Sequence, residues 1–298
     1  MPKLSGRVTV DAVDPRPYLA ALPALLTGWR ALRFDDGVAI HPRTGEPHAG
    51  LAVVRGSHPY PGTVYRLLVP EEQTGQPGHD LGTAVKYRPV RLELLADEHH
   101  RAAFAVRDEA GAADVRVTVE RPDRPGPVEV VAEVRDPSGG NRFTRGAALV
   151  RVRLATDRLP PHGGQEPQLV ATVEHPRGRG RAELGVTGGR SWTVAGSVTA
   201  GGRGLMRPAV GLLWVFLRRP ARRRLDAFLA ALPGQVAEAH RESVARWGPH
   251  PDPEQIATDL LAGVLDDLPT VVPAGAGRAG PVDPAAGSAV PDRTPPIG

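Results

Sequence analysis

From the first residues to about position 200 the chain alternates apolar and polar side chains with a period of two, the pattern of strands with one buried and one solvated face. GRVTVDAV at 6–13, VRVTVE at 115–120, VEVVAEV at 128–134 and ALVRVRLA at 148–155 each put Val, Leu or Ala on one side and Arg, Glu or Thr on the other. After the first, the strands are expected around 28–34, 37–41, 49–55, 62–69, 84–96, 101–107, 113–120, 127–135, 146–155, 167–174, 181–186 and 190–199. Turn clusters at 123–126, 136–140 and 160–164 separate them, and no long helix intervenes, so antiparallel pairing is expected. One short helix, Pro17–Leu26, interrupts the run, with Tyr18, Leu19, Leu22 and Leu25 at helical spacing.

After Gly204 the period changes. Leu205, Ala209, Leu212, Leu213, Phe216 and Leu217 recur at helical intervals, and Leu225, Phe228, Leu229, Leu232, Val236 and Ala239 form a second stripe. Pro220 and the Pro233-Gly234 pair are expected to divide this region into two or three segments. A last helix is expected over Asp252–Leu268, where Asp252 supplies the cap and Pro253 the first helical position. Residues 269–298 hold 7 Pro and 5 Gly without periodicity and read as a disordered tail. The expected organisation is a β-rich portion over 1–110, strands and C-terminal helices over 111–268, and the tail.

The stretch Ser191–His240, SWTVAGSVTAGGRGLMRPAVGLLWVFLRRPARRRLDAFLAALPGQVAEAH, is a closing strand, a Gly-rich turn and a long helix mixing Leu with Arg. It resembles the end of START-like (SRPBCC) proteins, which include polyketide cyclases and lipid-transfer domains. The resemblance implies an α+β helix-grip fold, a curved antiparallel sheet wrapped around a long C-terminal helix with an apolar cavity between them. It further implies a hydrophobic small-molecule or acyl/polyketide-like ligand, lined by Trp192, Leu213, Trp214, Phe216 and Phe228. Plain core packing explains the same side chains equally well. Cyclase-like catalysis would suit the family, but many members only bind, so the resemblance does not decide whether the protein is an enzyme, and no catalytic residue is assigned. About a dozen strands exceed the six or seven of one such domain. Either some are loops, or the sheet is expanded, or residues 1–110 form an extra N-terminal β-rich unit.

Composition sharpens this in three places. The absence of cysteine removes disulfides, thiolate metal sites and thiol nucleophiles. Of 37 basic residues only Lys3 and Lys86 are lysines, as a GC-rich coding bias produces whatever the function. Yet the arginines are not evenly spread. Arg203, Arg207, Arg218, Arg219, Arg222, Arg223 and Arg224 are the only charges between 203 and 224, so this segment carries +7 and the remainder −3. Arg218, Arg219, Arg222, Arg223 and Arg224 are therefore candidates for contact with an anionic membrane surface or an acidic partner, which gives the alternative function, a peripheral interaction protein. Nucleic acid is the weaker partner, because only Trp214 and Phe216 offer stacking surface nearby. The bland reading is a helix with one apolar face and a solvated arginine side.

The remaining chemistry is sparse. Adjacent His99 and His100 would face opposite ways on a strand, and His41, His48, His58, His79, His162 and His175 read as exposed loop residues, so neither metal nor cofactor is expected. His79-Asp80 could pair a base with its orienting carboxylate, but a turn is the simpler meaning. No G-x-S-x-G occurs, and GRGRAELG at 178–185 lacks the features of a phosphate loop. GGRG at 201–204 precedes a helix, where an anion could sit beside Arg203 and Arg207, though a plain strand-to-helix turn fits as well. With no charged-then-apolar N-terminal pattern and no apolar run near about 18 residues, the expected location is the cytoplasm.

Overall fold

A computed structural model of the chain describes residues 3–70, 87–109, 113–124, 126–135, 147–159, 166–203 and 206–270, the side chains of 206–217 excepted. The expected alternation builds one antiparallel sheet. Its strands are β1 (Lys3–Asp11), β2 (Phe34–Asp35), β3 (Val38–Ile40), β4 (Pro47–Arg55), β5 (Val64–Pro70), β6 (Tyr87–Glu98) and β7 (Arg101–Asp108). They continue as β8 (Ala113–Glu120), β9 (Val128–Val134), β10 (Ala148–Leu154), β11 (Leu169–His175), β12 (Gly178–Gly188) and β13 (Ser191–Gly202). Helix α1 (Arg16–Arg30) follows β1, and α2 (Met206–Trp247) and α3 (Pro253–Asp266) follow β13. From β2 to β13 each strand pairs with its sequence neighbour, and β1 adds to the free side of β13. The strands of residues 1–110 thus belong to the same sheet as those that follow.

Register explains the two faces. Ala102, Val119, Val128, Leu154, Leu169, Leu184 and Gly196 stand opposite one another in a row from β7 to β13. The next row is Phe104, Val117, Val130, Val152, Ala171, Ala182, Val198 and Leu4. Because successive side chains alternate, the intervening Arg and Glu residues fall together on the other face. There they pair across strands, as in Arg107–Asp114 at 3.2 Å and Arg151–Glu129 at 3.3 Å, or along one strand, as in Arg181–Glu183 at 2.7 Å. Such exposed pairs add little stability; they keep this face wet.

The helices cover the apolar face from its two ends. Leu22 and Leu26 of α1 pack on Ala102, Val119, Phe104 and Val128. Leu265 of α3 and the following Leu268 join Leu32, Ala39, Leu51, Tyr65 and Leu94, and α1 and α3 pack on each other. Helix α2 sits at the opposite end, where Leu225 and Leu229 meet Leu4, Val8 and Val198. No described helix is long and apolar enough to cross a membrane.

Three local expectations are corrected. No strand runs over 28–34: α1 continues to Arg30, because Trp29 extends the Leu22–Leu26 stripe into a cluster with Tyr65 and Phe104 while Arg30 pairs with Asp97. The region after Met206 is one helix of 42 residues through Pro220 and Pro233, not two or three. Each proline forfeits one backbone bond, but Leu225 and Leu229, seated between them, hold the axis on course. His99 and His100 lie in the turn after β6 rather than on a strand, His99 3.5 Å from Asp123 and His100 3.0 Å from Glu98. The last helix starts where expected, with the Asp252 carboxylate accepting from the Glu254 amide at 3.2 Å. Of the anticipated tail, Pro269 lies with Leu268 against Gly50 and the Thr270 carbonyl accepts from the Ala49 amide at 3.4 Å; residues 271–298 lie outside the described residues.

Candidate functional site

The seat of α2 depends on two residues without side chains. Gly6 and Gly196 face each other across β1 and β13. A Cβ at Gly6 would come within 2.6 Å of Leu229 Cδ1, and one at Gly196 within 3.5 Å of Leu229 Cδ2 and 3.6 Å of Leu225 Cδ1. A side chain at Gly6 would therefore force Leu229 to shift, whereas one carbon at Gly196 would only touch the two leucines.

Toward β11 a groove of about 590 Å³ opens between this helix and the sheet, a size within the usual range of small-molecule sites. Leu4, Val198, Gly196, Ala182, Leu184 and Leu169 form its floor, and Pro220, Ala221, Arg224, Leu225 and Phe228 its helical wall. Every floor residue comes from the apolar rows of the sheet. The apolar face runs on beyond the groove: Val134 on β9 and Val173 on β11, both on this face, are 44% and 42% exposed, so apolar surface remains open to solvent between the two ends capped by helices.

The residues singled out in the sequence divide as follows. Phe228 stands in the groove wall, 45% exposed, and Arg224 lies one turn before it. Trp192 is on the same sheet face opposite Val10 but lines a separate depression with Asp14 and Arg16. Leu213, Trp214 and Phe216 belong to α2, and their side chains lie outside the described residues. Arg218, Arg219 and Arg223 are exposed. Arg222 is engaged, with Nε donating to Asp226 at 2.9 Å and a guanidinium NH donating to the Ser5 carbonyl at 3.0 Å. The six floor residues escaped notice in the sequence. Each is one member of an ordinary alternation, and only strand register shows that they converge.

Of three histidines expected in exposed loops, two are instead buried and His58 is half-buried. His41 and His48 are each 4% exposed, with rings 6.0 Å apart where the β3–β4 turn meets the end of α3. His41 Nδ1 accepts from the amides of Arg43 and Thr44 at 3.3 Å, which leaves the proton of a neutral ring on Nε2. That nitrogen is 3.1 Å from Asp266 Oδ1 but off the axis of a hydrogen bond. Burial, and then the neighbouring His41, hold His48 below the ordinary imidazole range. His58 packs among Trp29, Phe34 and Tyr65, its Nδ1 2.7 Å from the Tyr65 hydroxyl. Burial lowers the His58 pKa and raises that of Tyr65 to about 12, so both rings stay neutral near pH 7. Among the described residues no group of His, Asp or Glu side chains is placed to hold a metal. GRGRAELG forms part of β12 and is no phosphate loop; His79-Asp80 lies outside the described residues, as do Gly204 and Leu205 of the Gly-rich turn.

No protein-family model matches the chain, and no curated protein matches it. Among solved structures it is similar to the di-domain ARO/CYC StfQ from the steffimycin biosynthetic pathway, at 13% identity over 79% of this chain and 99% of that one. The TM-score is 0.23, and the likeness carries no argument. The α+β architecture stands on the elements themselves.

Chemically the groove offers apolar surface and little else. Glu183 touches its lining, but Ala182 and Leu184 face the groove and alternation turns the carboxylate to the other side of the sheet. There Arg181 donates to it at 2.7 Å and Ser197 at 3.1 Å, lowering its pKa and keeping it ionised. Nothing in the described lining is poised for proton transfer near neutral pH.

Proposed function

We propose that the protein binds a hydrophobic small molecule, an acyl or polyketide-like chain, in the groove between α2 and strands β11–β13 and β1. The observation that carries this reading is the groove itself, about 590 Å³ walled by Leu, Val, Ala and Phe side chains on a face whose apolar floor continues past it. Affinity would come from removing apolar surface from water, about 25 cal/mol per Å² before ordering costs. With no acid or base poised among the described lining residues, cyclase-like action here would work by holding a reactive chain in one conformation. The family resemblance of residues 191–240 supports the same reading. Native mass spectrometry and solvent extraction of the purified full chain test it. A bound apolar species, displaced in an Ala182→Phe variant that fills the floor, is expected. A chain that carries none, and that binds neither aliphatic nor aromatic probes, refutes it.

A second reading rests on the exposed arginines of α2. Arg218, Arg219 and Arg223 have no partner among the described residues and face solvent on one helix. They suit an anionic bilayer surface. Flotation with vesicles containing anionic lipid should then weaken with salt and on replacing Arg218, Arg219, Arg222, Arg223 and Arg224 by Gln. Unchanged partitioning removes this reading.

A further inference from the structure

Among the described residues the groove wall contains one cation, and its position selects among hydrophobic ligands. Pro220, Arg224 and Phe228 follow at intervals of four along α2, so they form one edge of the groove, with Arg224 between two apolar neighbours. Arg224 pairs with no described carboxylate, in contrast to Arg222, which Asp226 and the Ser5 carbonyl hold. The one acid at the lining, Glu183, is turned to the other face and held there by Arg181 and Ser197. Arg218, Arg219 and Arg223 on the same helix add to the positive potential at this edge. An apolar ligand lying on the floor therefore meets a cation at the rim without a competing anion among the described lining residues.

We propose that the groove takes an anionic amphiphile, its chain on the floor of β11–β13 and its carboxylate or phosphate on Arg224. This rests on the reading of the groove as a hydrophobic binding site and adds the class of ligand. Charge-assisted hydrogen bonds from a guanidinium to such a head are among the stronger polar contacts, and Arg can make two in parallel.

Isothermal titration of the full chain with dodecanoate, dodecyl phosphate and dodecanol at pH about 8 tests it. Both anions are expected to bind about tenfold more tightly than the alcohol. Arg224→Gln, a change between residues of similar helix propensity, should bring all three within about twofold of one another. Arg190→Gln, at the exposed β12–β13 turn, removes equal charge away from the groove and should keep the preference. A preference for carboxylate over phosphate, or the reverse, names the head. Equal binding of acid and alcohol by the unaltered chain overturns this inference alone, as does a preference that survives Arg224→Gln. Binding of none of the three overturns the hydrophobic site itself, and this inference with it.

Discussion

Replacing Leu229 by Ala should unseat α2. Leu229 is 4% exposed and reaches down to Gly6 and Gly196, which have no side chains to relax into the space it vacates. Burying a Leu is worth about 1.5–3 kcal/mol, and the cavity adds to that, placing Leu→Ala changes at about 2–5 kcal/mol. Rigid β-strand backbone beneath the site argues for the middle of this range, about 3 kcal/mol. In a chain of this size each kcal/mol moves the midpoint about 2–4 °C, so the melting temperature should fall by about 6–12 °C. The neighbouring Phe228 is the internal comparison. It is a larger side chain but 45% exposed in the groove wall, so Phe228→Ala should cost about 1 kcal/mol or less despite removing more carbon. Urea unfolding followed by tryptophan fluorescence, alongside thermal melts, measures both. Equal losses in the two variants, or a loss below about 1 kcal/mol for Leu229→Ala, would refute the seating of α2 on the paired glycines.

Three other outcomes are expected. His48 and His58 have folded pKa values below the ordinary 6.5, so the unfolded chain binds more protons than the folded one just under that pH; stability should fall as pH drops below 6.5, and His48→Gln should flatten the slope of urea midpoint against pH. Tyr65, raised to about 12, should stay neutral near pH 11, so Tyr65→Phe should leave the absorbance change up to that pH unaltered; the unfolded phenol ionises first, so stability declines as pH rises past about 10, a trend that Tyr65→Phe should reduce. Asp252→Ala removes the cap of α3 and should cost about 1 kcal/mol by urea unfolding, whereas Asp252→Asn, which keeps an acceptor, should cost little.

Nearly every strand was legible in the amino-acid order alone, because alternation is a local consequence of putting one face in water and the other out of it. ALVRVRL could hardly be anything but a half-solvated strand, and β10 occupies those residues. The cap at Asp252 and the one-sided stripe through Leu225 and Leu229 were equally local, and so was the basic character of the segment that flanks the groove. Tertiary structure decided what alternation cannot encode. Which strands stand side by side brings Leu4, near the N-terminus, next to Val198 and close to Leu225. His41 and His48 looked like turn residues; α3, arriving more than two hundred residues later, buries them. The groove is the clearest case. Its floor is drawn from four strands and its wall from a helix, and each contributes residues that are unremarkable in their own segments. A cavity is a relation between surfaces distant in the chain, so no local periodicity announces it. The same relation separates Arg224 from the other arginines of its segment, since only the packed helix shows which of them borders apolar floor.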